Sequence, residues 1–409
     1  MTSLLPLSPV LPSLSARQAA QQAQVIQNLG STVQLTALST APVFDTVQGS
    51  IRLPPPQPSP PAPAGPQQSP SPAPAGQQQL PSGFDRRVID VPPPTETRFI
   101  KDEVVLQIAG NITVQRLQAA VAGLGLTLLA SEKLDIAGST VARFRIGNGR
   151  SPTQIIRALA AIQLVAVAQP NYVYTLQQES AAPAPAARGD AAQLGDAAQY
   201  ALEKLQISDV HRIAKGANVP IAVIDSEIDA THPDLEGAVT QRFDAVGAPE
   251  KPHPHGTGMA GAIAAHQRLL GIAPGARLLA VHAFSSDAAK AESTTFNILK
   301  GIDWSVRQGA RIINMSFAGP RDPSLHRALK AAYDKGVVLI AAAGNAGPKS
   351  PPLFPAADPN VMAVTATDVD DKLFAGANRG KYISVAAPGV DILVTAPASS
   401  YQLTTGTSV

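Results

Sequence analysis

Four stretches of this chain carry side chains that together could do chemistry. Asp225 closes an apolar run in Val223-Ile224-Asp225-Ser226-Glu227-Ile228-Asp229, and His255 opens the small-residue stretch His255-Gly256-Thr257-Gly258-Met259-Ala260-Gly261. Asn345 follows another apolar run in Ala341-Ala342-Ala343-Gly344-Asn345-Ala346-Gly347, and Ser408 lies in Gly406-Thr407-Ser408-Val409. Taken singly, each has a plain structural reading, such as an aspartate that caps a strand-to-loop turn or a histidine at the head of a helix packed close to a sheet. Taken together they are the parts of one reaction. A serine hydroxyl needs an imidazole to take its proton and a carboxylate to hold that imidazole in one tautomer. It also needs a donor for the charge that develops on an attacked carbonyl oxygen.

Such a set works only if the fold holds it together. Beyond Tyr200, continuous apolar runs at 219–224, 276–284, 310–317, 336–343, 361–367 and 382–386 alternate with helical stretches. That pattern predicts an α/β unit whose mostly parallel sheet is covered on both faces. In open parallel sheets ligands sit beyond the carboxyl ends of the strands, where Asp225 and Asn345 fall.

Upstream the texture differs. Glu103–Ile108 reads as a strand, and Thr113–Gly123 as a helix with Val114, Leu117 and Val121 on one face. Leu126–Ala130 and Thr140–Ile146 read as strands, followed by Ser151-Pro152-Thr153-Gln154, a helix start with a reciprocal Gln. Leu164–Val167 with Tyr172–Leu176 closes a β-α-β-β-α-β plait, a ferredoxin-like α+β unit. The expected division is a leader at 1–97, the plait at 98–178, a polar linker at 179–198 and the α/β unit at 199–409. Within the leader, Ser15–Gln27 is compatible with a short helix, and Leu53–Pro81 is a Pro/Gln/Ser/Ala tract expected to be extended and unable to bury a core.

Composition narrows the classes. The chain has 409 residues, 38 of them proline, a formal charge of +2 and no cysteine. Near-neutral charge gives no electrostatic reason to bind nucleic acid, and without cysteine there is neither a disulfide framework nor a thiolate zinc site nor a cysteine nucleophile. No apolar run reaches the 18 residues that a membrane-spanning helix needs. The first residues lack Lys and Arg before Arg17, a poor match to a signal peptide.

The order Asp225, His255, Asn345, Ser408 resembles that of the subtilisin-like serine peptidases. The surrounding text is similar as well: His232-Pro233-Asp234-Leu235, Gly271-Ile272-Ala273-Pro274, Ile313-Asn314-Met315-Ser316, Ala387-Pro388-Gly389-Val390 and Gly406-Thr407-Ser408. The resemblance runs from about Gln199 onward and implies a three-layer subtilisin-like fold and a serine endopeptidase acting on polypeptides. Within it Ser408 would be the nucleophile, His255 the base, Asp225 its orienting partner and Asn345 the oxyanion donor. It also implies that Ser316, Phe317, Ala318 and Gly319 form an edge that pairs with an extended substrate, and that Ala343 and Gly344 line an uncharged first pocket suited to apolar side chains. The plait, ending in Pro170-Asn171-Tyr172-Val173-Tyr174, resembles the family's propeptide, so the chain is expected to be made as a self-inhibited precursor that cuts itself within 179–198. The resemblance implies export, to the periplasm or outside. It implies no cofactor, and structural calcium, common in the family, is not readable from these residues.

Two departures carry weight. The family has glycine two residues after the aspartate, where this chain has Glu227, a side chain that would strain a turn of positive φ or set a carboxylate beside the histidine. The family's serine opens a long buried helix, whereas the sequence stops at Val409, which leads to the expectation of a truncated chain with impaired turnover. Both favour an alternative, a subtilisin-like scaffold that holds peptides without cutting them. A further alternative gathers His253, His255, Asp225 and Asp229 around a metal. Asp368-Val369-Asp370-Asp371 reads as a solvated turn, and His211, His266, His282 and His326 as surface or packing residues.

Overall fold

The computed structural model describes residues 87–177, 180–183, 195–285 and 291–409. The possible helix at 15–27 and the proline-rich tract lie outside the described residues, as does most of the linker. The described chain starts before residue 98. Strand β1 (Val88–Ile89) is already paired, and Arg87 donates to the carbonyls of Leu159, Ile162 and Val165 at the end of the second plait helix.

The plait follows the expected order. It comprises β2 (Phe99–Ala109), α1 (Val114–Val121), β3 (Leu126–Leu134), β4 (Ser139–Ile146), α2 (Pro152–Leu159) and β5 (Val167–Leu176), with the sheet running β1-β5-β2-β4-β3. The strand that closes the unit is one continuous segment rather than two, because Gln169 and Pro170 stay in the ladder against β2 and Tyr172 rejoins it opposite Phe99 after an irregularity at Asn171. Both helix starts carry their caps: Thr113 Oγ1 accepts from the Arg116 N–H, and Ser151 and Gln154 form a reciprocal capping box. Alternation along β2 divides the burial. Val104, Leu106 and Ile108 meet Leu117, Val121, Ile155 and Leu159 from α1 and α2, while Val105 faces the other half of the molecule.

After β5 come β6 (Ser180–Pro183), α3 (Tyr200–Lys204), α4 (Ile207–Ile213), β7 (Pro220–Asp225), β8 (Val239–Asp244) and α5 (Pro254–Ala264). Next are β9 (Arg277–His282), β10 (Glu292–Thr294), α6 (Thr295–Arg307), β11 (Ile312–Met315), β12 (Phe317–Ala318) and α7 (Pro323–Asp334). The described chain ends with β13 (Val338–Ala342), β14 (Met362–Thr367), β15 (Ile383–Pro388), β16 (Ile392–Ala396) and β17 (Ser400–Thr405). Seven strands form one sheet in the order β15-β14-β13-β11-β7-β9-β8, and every neighbouring pair in it is parallel. All six apolar runs supply strands of this sheet. The edge strand β8 and strand β17 are too polar to stand out in the sequence, whereas β16, Ile392–Ala396, is a short buried apolar run outside the six.

The open face of the plait sheet lies on α6 and α7. Val105, Val141, Tyr172 and Tyr174 share one core with Ile224, Phe284, Phe296, Leu299 and Leu325. Polar side chains at this seam serve the two helix N-termini. The Gln169 amide oxygen accepts from the Ser324 N–H at 3.0 Å, and Asn171 accepts from the Phe296 N–H at 3.4 Å. Asp322 caps α7 and is fully buried. It accepts from Gln169 Nε2 at 2.8 Å, Thr295 Oγ1 at 2.6 Å, Tyr174 Oη at 3.1 Å and the Leu325 N–H at 2.9 Å. Burial raises its carboxyl above the usual range against the pull of these four donors.

On the other side of the sheet, α5 approaches β16 closely enough that only small residues fit. A Cβ placed on Gly261 would lie 2.1 Å from Thr395 Oγ1, itself bound to the Thr257 carbonyl at 2.6 Å. Gly261→Ala is expected to lower stability by about 1–3 kcal/mol, read as a fall in the thermal unfolding midpoint. An unchanged midpoint would mean that this contact tolerates a methyl group.

Candidate active site

The site lies beyond the carboxyl ends of the parallel strands. β7 delivers Asp225 as its last residue, buried in the sheet layer, and the head of α5 brings His255 against it. His255 Nδ1 lies 2.7 and 2.9 Å from the two Asp225 carboxylate oxygens, and both side chains are almost wholly buried. The carboxylate only accepts, so Nδ1 carries the proton and Nε2 presents a lone pair. Among the described residues nothing is hydrogen-bonded to that Nε2. Asp225 is held in turn by Ser226, whose N–H donates to Oδ1 at 2.7 Å and whose hydroxyl lies 3.0 Å from the same oxygen.

Asn345 sits in the turn after β13, and its amide has one orientation that satisfies its neighbours. Oδ1 accepts from the Thr407 N–H at 3.0 Å and from Thr407 Oγ1 at 2.9 Å, which leaves Nδ2 to donate outward. It donates, at 3.0 Å, to the carbonyl of the chain's own Gln177. The Ser408 hydroxyl donates to the same Gln177 carbonyl and lies 3.3 Å from that of Ser316. One carbonyl oxygen therefore collects the hydroxyl of Ser408 and the amide of Asn345. In this arrangement the hydroxyl is turned to the two carbonyls and not to His255 Nε2.

Gln177 arrives there because β5 continues past the plait and threads between two edges. Thr175, Tyr174 and Val173 pair antiparallel with Glu292–Thr294 of β10, and Leu176 and Thr175 pair with Phe317 and Ala318 of β12. The Gln177 N–H donates to the Ser316 carbonyl at 3.2 Å. Gly319 lies under the Tyr174 ring, and a Cβ there would come within 2.4 Å of it. On the far side of residues 178–179, Ser180–Pro183 pairs antiparallel with Gln402–Thr405 of β17. Beside Gln177 opens a groove of 930 Å³, lined by Ala318, Asn345, Ala346, Leu353 and Glu292 among others.

The structure thus pairs Asp225 with His255, and it brings Asn345 and Ser408 to one carbonyl, that of Gln177. Ser316, Phe317, Ala318 and Gly319 all lie along β5. Gly344, with φ +107°, and Ala343 form the turn that carries Asn345. Sequence reasoning missed β10 as a second edge, Glu292 on the groove wall, Gln177, and the grip of Thr407 on Asn345. Of these only Thr407 had a signal, its place beside Ser408.

The remaining expectations resolve locally. Glu227 is not among the residues of positive φ, so the turn it occupies carries no left-handed strain. Its carboxylate turns away from His255 and pairs with Arg242 of β8, which also donates to the Ile228 carbonyl at 2.7 Å. The four groups considered for a metal do not converge. Asp229 accepts from Thr231 at 2.6 Å and from the Ala398 N–H at 3.0 Å, while His253 caps α5. Among the described residues no group of three or more histidines and carboxylates is arranged to hold a metal ion. Asp368 accepts from the Asp370 and Lys372 N–H groups in an exposed turn. His282, in contrast, is buried, its Nδ1 3.1 Å from Asp244.

His253 is the titrating group next to this centre. Its Nδ1 lies 3.2 Å from both the His255 N–H and the Ser226 hydroxyl. Burial, with the nearby His255 adding to it, holds its pKa below the ordinary value. A histidine kept neutral in the native state takes up its proton first in the unfolded chain, so its contribution is present above about pH 6.5 and is lost as the pH falls below that. His253→Asn, which keeps an acceptor at the cap, is expected to lose less unfolding temperature between pH 7 and pH 5 than the unaltered chain. Equal losses would remove His253 from the acid response.

Residues 216–409 match the profile of the subtilase family. The chain is 32% identical over 320 residues to a thermophilic serine proteinase from Bacillus sp. (strain AK1), a match covering 76% of this chain and 75% of that one. It is 36% identical over 219 residues to thermitase from Thermoactinomyces vulgaris, covering 52% of this chain and 77% of the relative. In fold it is similar to the crystal structure of fervidolysin from Fervidobacterium pennivorans, a keratinolytic enzyme related to subtilisin. That comparison gives a TM-score of 0.63 and 23% identity over 79% of this chain and 54% of that one.

Proposed function

The chain belongs to the subtilase family, and from that premise we propose that it is a serine endopeptidase held in precursor form by its own plait. The observation that carries this reading is the Gln177 carbonyl, which receives hydrogen bonds from both Ser408 Oγ and Asn345 Nδ2. The Asn345 contact is the one an oxyanion donor makes, and attack requires the Ser408 hydroxyl to turn its proton from that oxygen to His255 Nε2. Ser408 Oγ adds to the carbonyl carbon and its proton passes to His255 Nε2, the unclaimed lone pair. Asp225 holds the ring by Nδ1 and stabilises the imidazolium. Asn345 Nδ2 donates to the oxygen as charge develops there, and removal of such a donor costs roughly 10²–10³ in rate. His255 then returns the proton to the amine of residue 178, the peptide bond breaks, and water releases the acyl group by the reverse sequence.

In this reading β5 is a substrate strand supplied in cis. Its pairing with β10 and β12 is the pairing a polypeptide substrate adopts, and while it stays bound the cleft is closed to others. The cut falls at Gln177–Gln178, just upstream of the linker at 179–198 where the sequence led us to expect it. Export accompanies the reading, since a precursor of this kind is made to be activated elsewhere. No helix of the described residues is long and apolar enough to cross a membrane. The substrates are polypeptides, and the wall of the groove beside Gln177 includes a carboxylate, Glu292, as well as small apolar residues.

Two measurements test this. Once the chain has cut itself and the cleft is open, a fluorophosphonate probe is expected to label it at Ser408 and to leave Ser408→Ala unlabelled, whereas a chain that is neither cut nor labelled would leave a peptide-binding scaffold. On incubation, N-terminal sequencing of the larger fragment is expected to begin at Gln178, with Ser408→Ala uncut and Asn345→Ala cut about 10²–10³ times more slowly. A start deep in the linker would place the cis substrate elsewhere.

A further inference from the structure

Asn345 must hold its amide within a few tenths of an ångström of a developing charge, yet it sits on a turn rather than in a strand. Thr407 grips it from one side, through Asn345 Oδ1 and, at 3.0 Å, through the Gly344 N–H. From the other side the turn meets Asn378, a fully buried residue in the loop before β15. The Asn378 N–H donates to the Gly344 carbonyl at 2.9 Å, and the Ala346 N–H donates to Asn378 Oδ1, also at 2.9 Å. These two bonds bracket Asn345 on its preceding and following residues. The fit is tight as well. Gly344 has φ +107°, and a Cβ on it would lie 2.7 Å from Asn378 Nδ2, so the turn exists in this shape only with glycine against the carboxamide.

We propose that Asn378 is a positioning residue for the oxyanion donor, fixing the Gly344–Ala346 turn so that Asn345 Nδ2 points at the attacked carbonyl. The hydrogen bonds of Asn378 go to the residues on either side of Asn345 and not to Gln177 or Ser408, so it acts through Asn345. The inference rests on the peptidase reading given above. A buried residue bonded to the backbone on both sides of a functional side chain, through its own N–H before it and its carboxamide oxygen after it, removes the turn's freedom before the reaction, and a donor already in place needs no reorganisation when charge appears. The main-chain pairing that carries most of the peptide's binding is made by β10 and β12, which Asn378 does not support.

The test is a double-mutant cycle on chains expressed in full and incubated until they have cut themselves, read by the rate of fluorophosphonate labelling of Ser408 and by kcat and KM on a peptide substrate. Asn378→Ala is expected to lower kcat and the labelling rate about 10- to 100-fold with KM changed less than about twofold. In an Asn345→Ala background the same substitution is expected to cost almost nothing further, since the group it positions is gone. Asn378→Asp keeps an acceptor for the Ala346 N–H. It is expected to retain most of the activity, and it supplies the measurement should Asn378→Ala fail to fold. Equal losses with and without Asn345, a loss carried by KM, or an Asp variant that folds but is as slow as Asn345→Ala would each overturn the proposal. Absence of labelling in the unaltered chain would instead overturn the peptidase reading on which it rests.

Discussion

The carbonyl of Gln177 is the point on which the rest of this structure depends. A backbone C=O buried without partners is costly, and this one finds its donors not in its own sheet but in Ser408 and Asn345. The residues before it are satisfied in the same way, by β10 on one side and β12 on the other. The plait's last strand is therefore completed by the α/β unit, and the α/β unit's two short edges are completed by the plait. Edges as short as these would otherwise present unpaired N–H and C=O groups to solvent. The same hydrogen bonds hold the two halves together and present the strand to the proposed nucleophile.

The seam beneath that strand is unusually polar for a surface buried this deeply. Gln169, Asn171 and Tyr174 of β5 reach the N-termini of α6 and α7, and Asp322 gathers four donors from both halves. Such a network stabilises only when every member is paired, because a half-satisfied buried carboxylate is worse than an apolar contact. It thus favours one docking register over its neighbours. A one-residue slip of β5 would take the Gln169 and Tyr174 donors from Asp322 and move Gln177 off the Ser408 hydroxyl at once, so the register that satisfies the seam is also the one that aligns the carbonyl.

Glu227 shows how a departure from a family pattern is absorbed. Glycine at a turn is required only where φ is positive or a Cβ would collide, and neither applies at this position. The extra carboxylate instead pairs with Arg242 on the neighbouring edge strand. That ties the loop after Asp225 to the sheet, and the Asp225–His255 contact remains a closed pair of almost fully buried groups.

By itself the sequence determined the change of texture along the chain, the periodicities on either side of it and the chemical types of the candidate groups. Each of these is encoded locally: Ser151-Pro152-Thr153-Gln154 carries its own helix start, the continuous apolar runs their burial on both faces, and Asp225, His255, Asn345 and Ser408 their chemical types. Tertiary structure decided what depends on chain segments far apart. That β10 flanks the cleft, that β17 pairs with Ser180–Pro183, and that Thr407 and Asn378 reach Asn345 follow from which distant segments the fold brings together, and no local pattern encodes that. The same holds for the Gln177 carbonyl. Any residue has one, and only the antiparallel register of β5 against β12 sets this one under Ser408.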